Sequence, residues 1–331
     1  MKYYARRIAF YAVTLWAALT LNFFIPRLMP GDPADIMLAK LARVGRDIPP
    51  AVEQSIRLLL GSDTGEPLGT QYVTYLGRIF SGDLGVSVTQ YPVSVATLIS
   101  ESLPWTIGLV GISTLLAFLV GIAGGIWIGA KRGTWVDGLI PASTLLQSVP
   151  YFWLALLLVY FFSVQNSWFP RIHAYGLEFT SGPEWSWAFV GSVLYYGTLP
   201  ALTIVLSSFG GWLLGMRNMM VSTLSDDYVT TAEAKGLRNS RVLLTYAARN
   251  AILPSIAGFG ISLGFVVAGS IVMEQVFSYP GIGKLLIQAV QNNDYALMQG
   301  IFLIITVTVL AANFIMDLVY GFIDPRTRHN G

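Results

Sequence analysis

The residues of this chain best suited to chemistry crowd into YVTTAEAKGLRNSRVLLTYAARNAILP, residues 228–254. There Glu233, Lys235, Arg238, Arg241 and Arg249 stand between two long apolar runs. The chemistry they offer is electrostatic recognition rather than bond making. The chain has no Cys, which removes disulfides and thiolate metal sites. Its two His, His173 and His329, cannot form a helical HExxH site and lack the partners for a catalytic dyad. No catalytic residue and no metal site is expected. The pattern G-x-x-x-x-G-K-[ST] is absent too, so no nucleotide is expected to bind here. If the chain moves a solute uphill, another polypeptide supplies the energy.

The charged stretch has its own local order. Asp226 is placed to cap a short helix running through Lys235, with Asp227 in its first turn. Lys235 falls near the negative end of that helix dipole. Gly236 supplies a left-handed stop, and Ser240 is placed to cap a second helix from Arg241. Ala232 and Ala234 are small enough for another protein to approach closely. Surrounding charges would then set register more than bulk affinity. The competing reading is an amphipathic surface helix whose Lys and Arg meet anionic lipid.

The elements that must hold this stretch are membrane helices. The 331 residues are 54% hydrophobic and only 11% charged, against about 25% charged in an ordinary soluble domain. The expected fold class is an all-α polytopic membrane protein. Six spans are read, at roughly 8–29, 105–130, 138–164, 197–216, 252–274 and 298–322. The apolar runs are continuous rather than alternating, which disfavours strands. Lys2, Arg6 and Arg7 precede the first span, which lacks a small-residue cleavage site and is read as a retained anchor. Basic residues mark the inner segments: Lys131, Arg132, Arg217, the cluster above, Arg326 and Arg328. The short outer loops hold only Arg171 and Lys284. Both termini are therefore expected in the cytoplasm. Residues 1–30 form the first helix, 31–103 a small extracytoplasmic lobe rich in turn formers, and 104–331 a five-helix core. The charged cytoplasmic loop of that core spans 221–250.

Within the spans, Gly121, Gly125 and Gly129 repeat every four residues, so they share a helix face and suit close helix packing. Pro141 and Pro150 frame the start of the third span, and Pro254 opens the fifth. Asp317 is read as the one ionisable group well inside a span, paired near the inner surface. Trp168, Trp185 and Trp187 are read as interfacial anchors. There is no carboxylate relay, arginine ladder or repeated filter sequence.

These residues carry a resemblance. DYVTTAEAKGLRNSRVLLTYAARNAILP resembles the EAA motif of ABC-importer permeases, with Glu233, Ala234 and Gly236 followed by Ile252, Leu253 and Pro254 at family spacing. Lys235 stands where the general motif has a second small residue, as is usual in the peptide-type branch. VMEQVFSYPGIGKLLIQAVQNNDYALMQG is similar to that branch's outer loop after the fifth helix, and MDLVYGFIDPRTR to its C-terminal ending. ARRIAFYAVTLWAALTLNFFIPRLMPGDP and SGDLGVSV fit its N-terminal part. The resemblance spans nearly the whole chain and is weak over 165–195.

The chain is thus identified as a member of the oligopeptide/dipeptide/nickel permease family, first-permease type, of the prokaryotic inner membrane. That implies the type I importer permease fold. It implies that Tyr228, Thr231, Ala232, Glu233, Ala234, Lys235, Gly236, Leu237 and Arg238 dock on a cytoplasmic ATP-binding subunit. The implied partners are a second homologous permease, two ATP-binding subunits that use ATP and Mg, and an extracytoplasmic solute-binding protein. Phe277, Tyr279, Pro280 and Gly281 are implied as an outer gate, against the simpler reading of an interfacial turn. No nucleic acid is expected as a partner.

Three functions follow: a permease subunit of an ATP-driven importer, a membrane scaffold, or an intramembrane enzyme. The last lacks any paired catalytic set, and the scaffold leaves the full-length resemblance without a reason. Oligopeptides rank first as the solute and oligosaccharides second. Nickel ligation by this chain is poorly provided for.

Overall fold

The computed structural model describes residues 2–28, 34–35, 38–39, 42, 50, 53–54, 57, 66–179, 182–264, 266 and 271–323, with side chains described for residues 6–25 of the first helix and up to residue 316 of the last. Part of the expected 31–103 lobe, mostly before residue 66, lies outside that set, as do the tail from 324 and the Asp317 side chain.

The described chain is helical, and its one β contact is an isolated antiparallel bridge between Val86 and Ser94. α1 is Lys2–Leu28 and α2 is Leu68–Phe80. α3 runs from Val95 to Ala130, longer than the expected span, with a π-helical turn over Ile107–Gly111. Its start is fixed by Ser94, whose hydroxyl accepts from the Thr97 N–H at 3.1 Å. α4 is Leu139–Ser148 and α5 is Tyr151–Gln165. α6, Trp187–Thr223, begins with Ser186 Oγ accepting from the Phe189 N–H at 3.1 Å.

The expected third span is sharply bent. Its two halves meet at 95° at Val149–Pro150. Pro150 has no N–H and forces the preceding residue out of helix geometry, and Val149 accordingly sits at φ −72°, ψ 125°. α7 is Asp227–Ala234, α8 is Asn239–Ala251 with a π turn over Val242–Ala248, and α9 is Leu253–Gly264. α8 and α9 meet at 46°. α10 (Ile271–Val276), α11 (Ile282–Gln291) and α12 (Tyr295–Ile323) complete the order. Among the described residues, four helices are long and apolar enough to cross a membrane, and each of two bent pairs passes that test jointly.

Packing is densest where α3 lies along α6. In lipid no hydrophobic force drives helices together, so small residues that admit a neighbouring backbone do that work. A Cβ on Gly121 would stand 2.5 Å from Trp212 Cβ and 2.7 Å from Phe209 O. One on Gly125 would stand 2.6 Å from Leu213 O, and one on Gly129 2.6 Å from Met220 Cβ. α1 meets α12 through a reciprocal amide pair. Asn22 Nδ2 donates to Gln299 O at 2.9 Å, and Gln299 Nε2 to Asn22 O at 3.2 Å. Such polar bonds join helices where water is absent.

Candidate functional site

The charged stretch emerges from the end of α6. Backbone bonds turn the chain at Thr223–Asp226, and α7 starts with the Val229 N–H on Asp226 O at 3.0 Å. Asp226 occupies the capping position, but its side chain makes no capping bond, which corrects the expected cap. α7 ends at Ala234, with Lys235 just beyond it and Gly236 at φ +73°. The Gly236 N–H donates to Glu233 O at 2.8 Å and the Leu237 N–H to Ala232 O at 3.4 Å. This two-bond ending requires a left-handed residue, which glycine adopts without a Cβ penalty. The next helix begins at Asn239 with Arg238 before it, so Ser240 is not its cap.

One face of α7 is internal. Val229 and Ala232 are buried against Val242 of α8, with Leu224, Leu237 and Tyr246 around them. Ala232 therefore belongs to the support of α7, a correction to its expected place on a docking face. Tyr228, Thr231, Glu233, Ala234, Lys235, Gly236 and Arg238 are exposed. Among the described residues, Glu233, Lys235, Arg238, Arg241 and Arg249 form no ion pair. Beside α7 lies a cleft of about 370 Å³ lined by Tyr228, Thr245, Tyr246, Arg249, Asn250 and Leu253. Asn250 Nδ2 spans its edge to Tyr228 Oη at 3.0 Å. α7 thus presents a rigid polar surface with unpaired charge.

The other end of α3 meets a hairpin built from α10 and α11. Thr106 touches this hairpin, whereas Gly129 lies beside Met220 near the α7 end of α6. At 1.5 Å per helical residue the two points are roughly 35 Å apart. Glu274 of α10 is 0% exposed. Its Oε1 accepts from Thr106 Oγ1 at 2.7 Å, and its Oε2 from the N–H groups of Gly283 at 2.7 Å and Lys284 at 3.2 Å. Asp294, also 0% exposed, accepts from Ser87 Oγ at 2.5 Å, the Thr89 N–H at 2.8 Å and the Leu297 N–H at 3.1 Å. Each carboxylate satisfies donors at a helix start, where the dipole favours negative charge.

Phe277 and Tyr279, expected at an outer gate, are 2% and 3% exposed. They pack with Leu109, Ala155, Leu199 and Met273, and Trp105 meets the Tyr279 ring edge-on at 5.9 Å. Burial and the nearby Glu274 carboxyl push the Tyr279 phenol well above its ordinary range. Gly281 is buried and Pro280 half-buried. The segment is packed within the chain and presents no open aromatic surface.

Comparison with known proteins identifies the frame in which these two ends work. Residues 121–329, more than half the chain, match the family described as binding-protein-dependent transport system inner membrane component. The di/tripeptide transport system permease protein DppB of Pseudomonas aeruginosa strain UCBPP-PA14 is 32% identical, and the alignment covers 99% of each chain. The oligopeptide transport system permease protein AppB of Bacillus subtilis strain 168 is also 32% identical over 99% of each. A putative peptide transport system permease protein of Brucella abortus strain 2308 is 35% identical, covering 94% of this chain and 93% of its own. The chain belongs to this permease family.

As a permease of the ABC importer type, it is a multi-pass inner-membrane protein. The matched region of the permease contains α4 to α12, and so both the α7 surface and the hairpin. Glu274 and Asp294 were not among the expected site residues. Glu274 closes the expected fifth span, and nothing local in the sequence shows that Thr106 lies against it. Trp168, Trp185 and Trp187 are exposed in the permease.

Proposed function

We propose that the chain is the membrane subunit of an ATP-driven, binding-protein-dependent importer and forms half of the translocation path for peptides. The observation that carries this reading is full-length similarity to permeases named for di/tripeptides and oligopeptides. The same relatives favour peptides over oligosaccharides. In this reading six spans cross the membrane, counting each bent pair once, and both termini lie in the cytoplasm.

The α7 surface supports a docking role. Tyr228, Thr231, Glu233, Ala234, Lys235, Gly236 and Arg238 would meet a groove of the ATP-binding subunit, with Ala232 and Leu237 bracing them from behind. Two such subunits would use ATP and Mg, and a second homologous permease would complete the path. The permease itself would bind neither cofactor nor metal. A solute-binding protein would deliver peptide at the opposite end, where the Phe277–Gly281 plug keeps the path shut until the hairpin moves. Motion of the ATP-binding subunits would reach the spans as a rigid-body shift through α7.

The test is uptake by the reconstituted four-component complex in liposomes loaded with ATP. Labelled di- and oligopeptides should accumulate with the binding protein present, and labelled oligosaccharides should not. Oligosaccharide uptake alone would overturn the peptide assignment. Absence of ATP-dependent uptake of either solute would overturn the importer reading.

A further inference from the structure

The outer hairpin is attached to α3 by a bond pattern more specific than packing requires. The first three N–H groups of α11 belong to Ile282, Gly283 and Lys284. All three are taken up by groups from elsewhere: Ile282 donates to Thr106 Oγ1 at 2.8 Å, and Gly283 and Lys284 donate to Glu274 Oε2. Thr106 Oγ1 in turn donates a hydrogen bond to Glu274 Oε1, so one hydroxyl joins α3, α10 and α11. Thr106 and Glu274 are both 0% exposed. A Cβ on Gly281 or Gly283 would run into the Glu274 carboxylate, and one on Gly283 would also meet Ile271 Cα at 2.5 Å. The backbone is therefore drawn down onto the acid. Thr106 is the last residue before the π turn at Ile107–Gly111, and such turns mark places where a helix readjusts.

We propose that Thr106 and Glu274 form a latch that positions the transport cycle: it transmits load from the 271–291 hairpin to α3, and through the α3–α6 seam to α7. This rests on the importer reading above and adds the route by which a docked binding protein is sensed. The route is physically continuous. The hairpin holds Thr106, the Gly121, Gly125 and Gly129 face of α3 meshes with α6, and α6 leads directly into the α7 turn. Neither latch residue needs to touch solute or nucleotide. Both act through the elements they join.

The experiment compares ATP hydrolysis by the reconstituted complex with and without peptide-loaded binding protein. Thr106→Val keeps the side-chain shape and removes both hydroxyl bonds. It should cut the binding-protein stimulation about fivefold or more, the scale of ordinary coupling between sites, with basal hydrolysis unchanged. Thr106→Ser keeps the hydroxyl and should retain the stimulation. Thr106→Val combined with Glu274→Ala should lose no more than the more affected single variant, because both break one latch. If the Glu274 variant fails to assemble, the contrast between Val and Ser at position 106 decides alone. Full stimulation in Thr106→Val overturns the proposal. So does an equal fall in basal and stimulated rates, which marks a purely structural role. A wild-type complex that no binding protein stimulates overturns the importer reading, and the latch with it.

Discussion

The turn at Gly236 and the turns at Ser278 and Asn293 close their helices with the same pair of backbone bonds, yet their surroundings are opposite. At α7 the pair runs from Gly236 and Leu237, at α10 from Ser278 and Tyr279, and at α11 from Asn293 and Asp294. Each places one residue in the left-handed region, at φ +73°, +48° and +53° respectively. The first turn uses glycine and stands open, with nothing within 4 Å of where a Cβ would be. The other two hold side-chain-bearing residues there, against a steric cost of about 1–2 kcal/mol each. Burial of Phe277, Tyr279, Glu274 and Asp294 around them offsets it. One motif thus serves two purposes. The α7 turn is a local shape that leaves its polar groups exposed. The hairpin turns have their partners within the chain.

The contrast predicts that equivalent substitutions fail in different ways. Gly283→Val should have the largest effect. Its Cβ would meet Ile271 Cα at 2.5 Å and Ile271 N at 3.0 Å, and a backbone cannot rotate aside as a side chain can. A loss of at least about 3 kcal/mol is expected, read as loss of membrane-inserted, protease-resistant subunit. Normal yield and protection would show that the hairpin is looser than its burial implies. Asp294→Ala comes next, at about 3 kcal/mol. It strands a fully buried Ser87 hydroxyl and two N–H donors without their acceptor. Thermal unfolding of the purified permease checks it, and a shift as small as that of a surface substitution would mean that the donors find other acceptors.

At α7 the same kind of change should spare the fold and remove the function. Gly236→Val strains the left-handed turn by about 1–2 kcal/mol but meets no neighbour. The subunit should insert and assemble while ATP-driven uptake falls about tenfold or more. Undiminished uptake would remove the turn from the coupling path. Glu233→Arg, on an exposed and unpaired position, should change stability by no more than about 0.5 kcal/mol. It should still weaken co-purification of the ATP-binding subunit, more at low salt than at high. Unchanged co-purification at every salt concentration would place Glu233 outside the contact.

The open turn was legible in the sequence and the closed ones were not, for a physical reason. Gly236 follows a short helical run and a lysine, and the left-handed stop it makes is a local event. The face formed by Gly121, Gly125 and Gly129 was equally readable because helical spacing alone aligns it. Ser278 carries no such mark and Asn293 only a weak one, since asparagine tolerates positive φ without demanding it. Glu274 and Asp294 depend on Thr106 and Ser87, which lie 168 and 207 residues away in the chain. No window of sequence contains both members of either pair. The break at Val149–Pro150 was half legible: Pro150 announced a boundary, but the 95° between the two halves is set by packing. Ala232 shows the reverse error, a small residue suited to a partner but occupied by its own chain.

Asp83 separates burial from location as the source of the contrast. It lies close in sequence to the Ser87 and Thr89 anchors of Asp294, but its side chain is half exposed and pairs with Arg78 Nε at 3.0 Å. The Gly85 N–H and the Arg78 guanidinium hold its carboxyl below the ordinary aspartate range. A depressed native pKa means that the unfolded chain binds the proton more readily. The stabilisation is therefore complete at neutral pH and is lost as pH falls below about 4. Solvent screening keeps that contribution within a few tenths of a kcal/mol. Asp83→Asn should therefore shift thermal unfolding at pH 7 only slightly, and the gap from wild type should close on acidification. If burial is what separates the two regions, Asp83→Asn will resemble Glu233→Arg in stability rather than Asp294→Ala. A loss near that of Asp294→Ala would mean that the whole hairpin end is brittle, whether exposed or not.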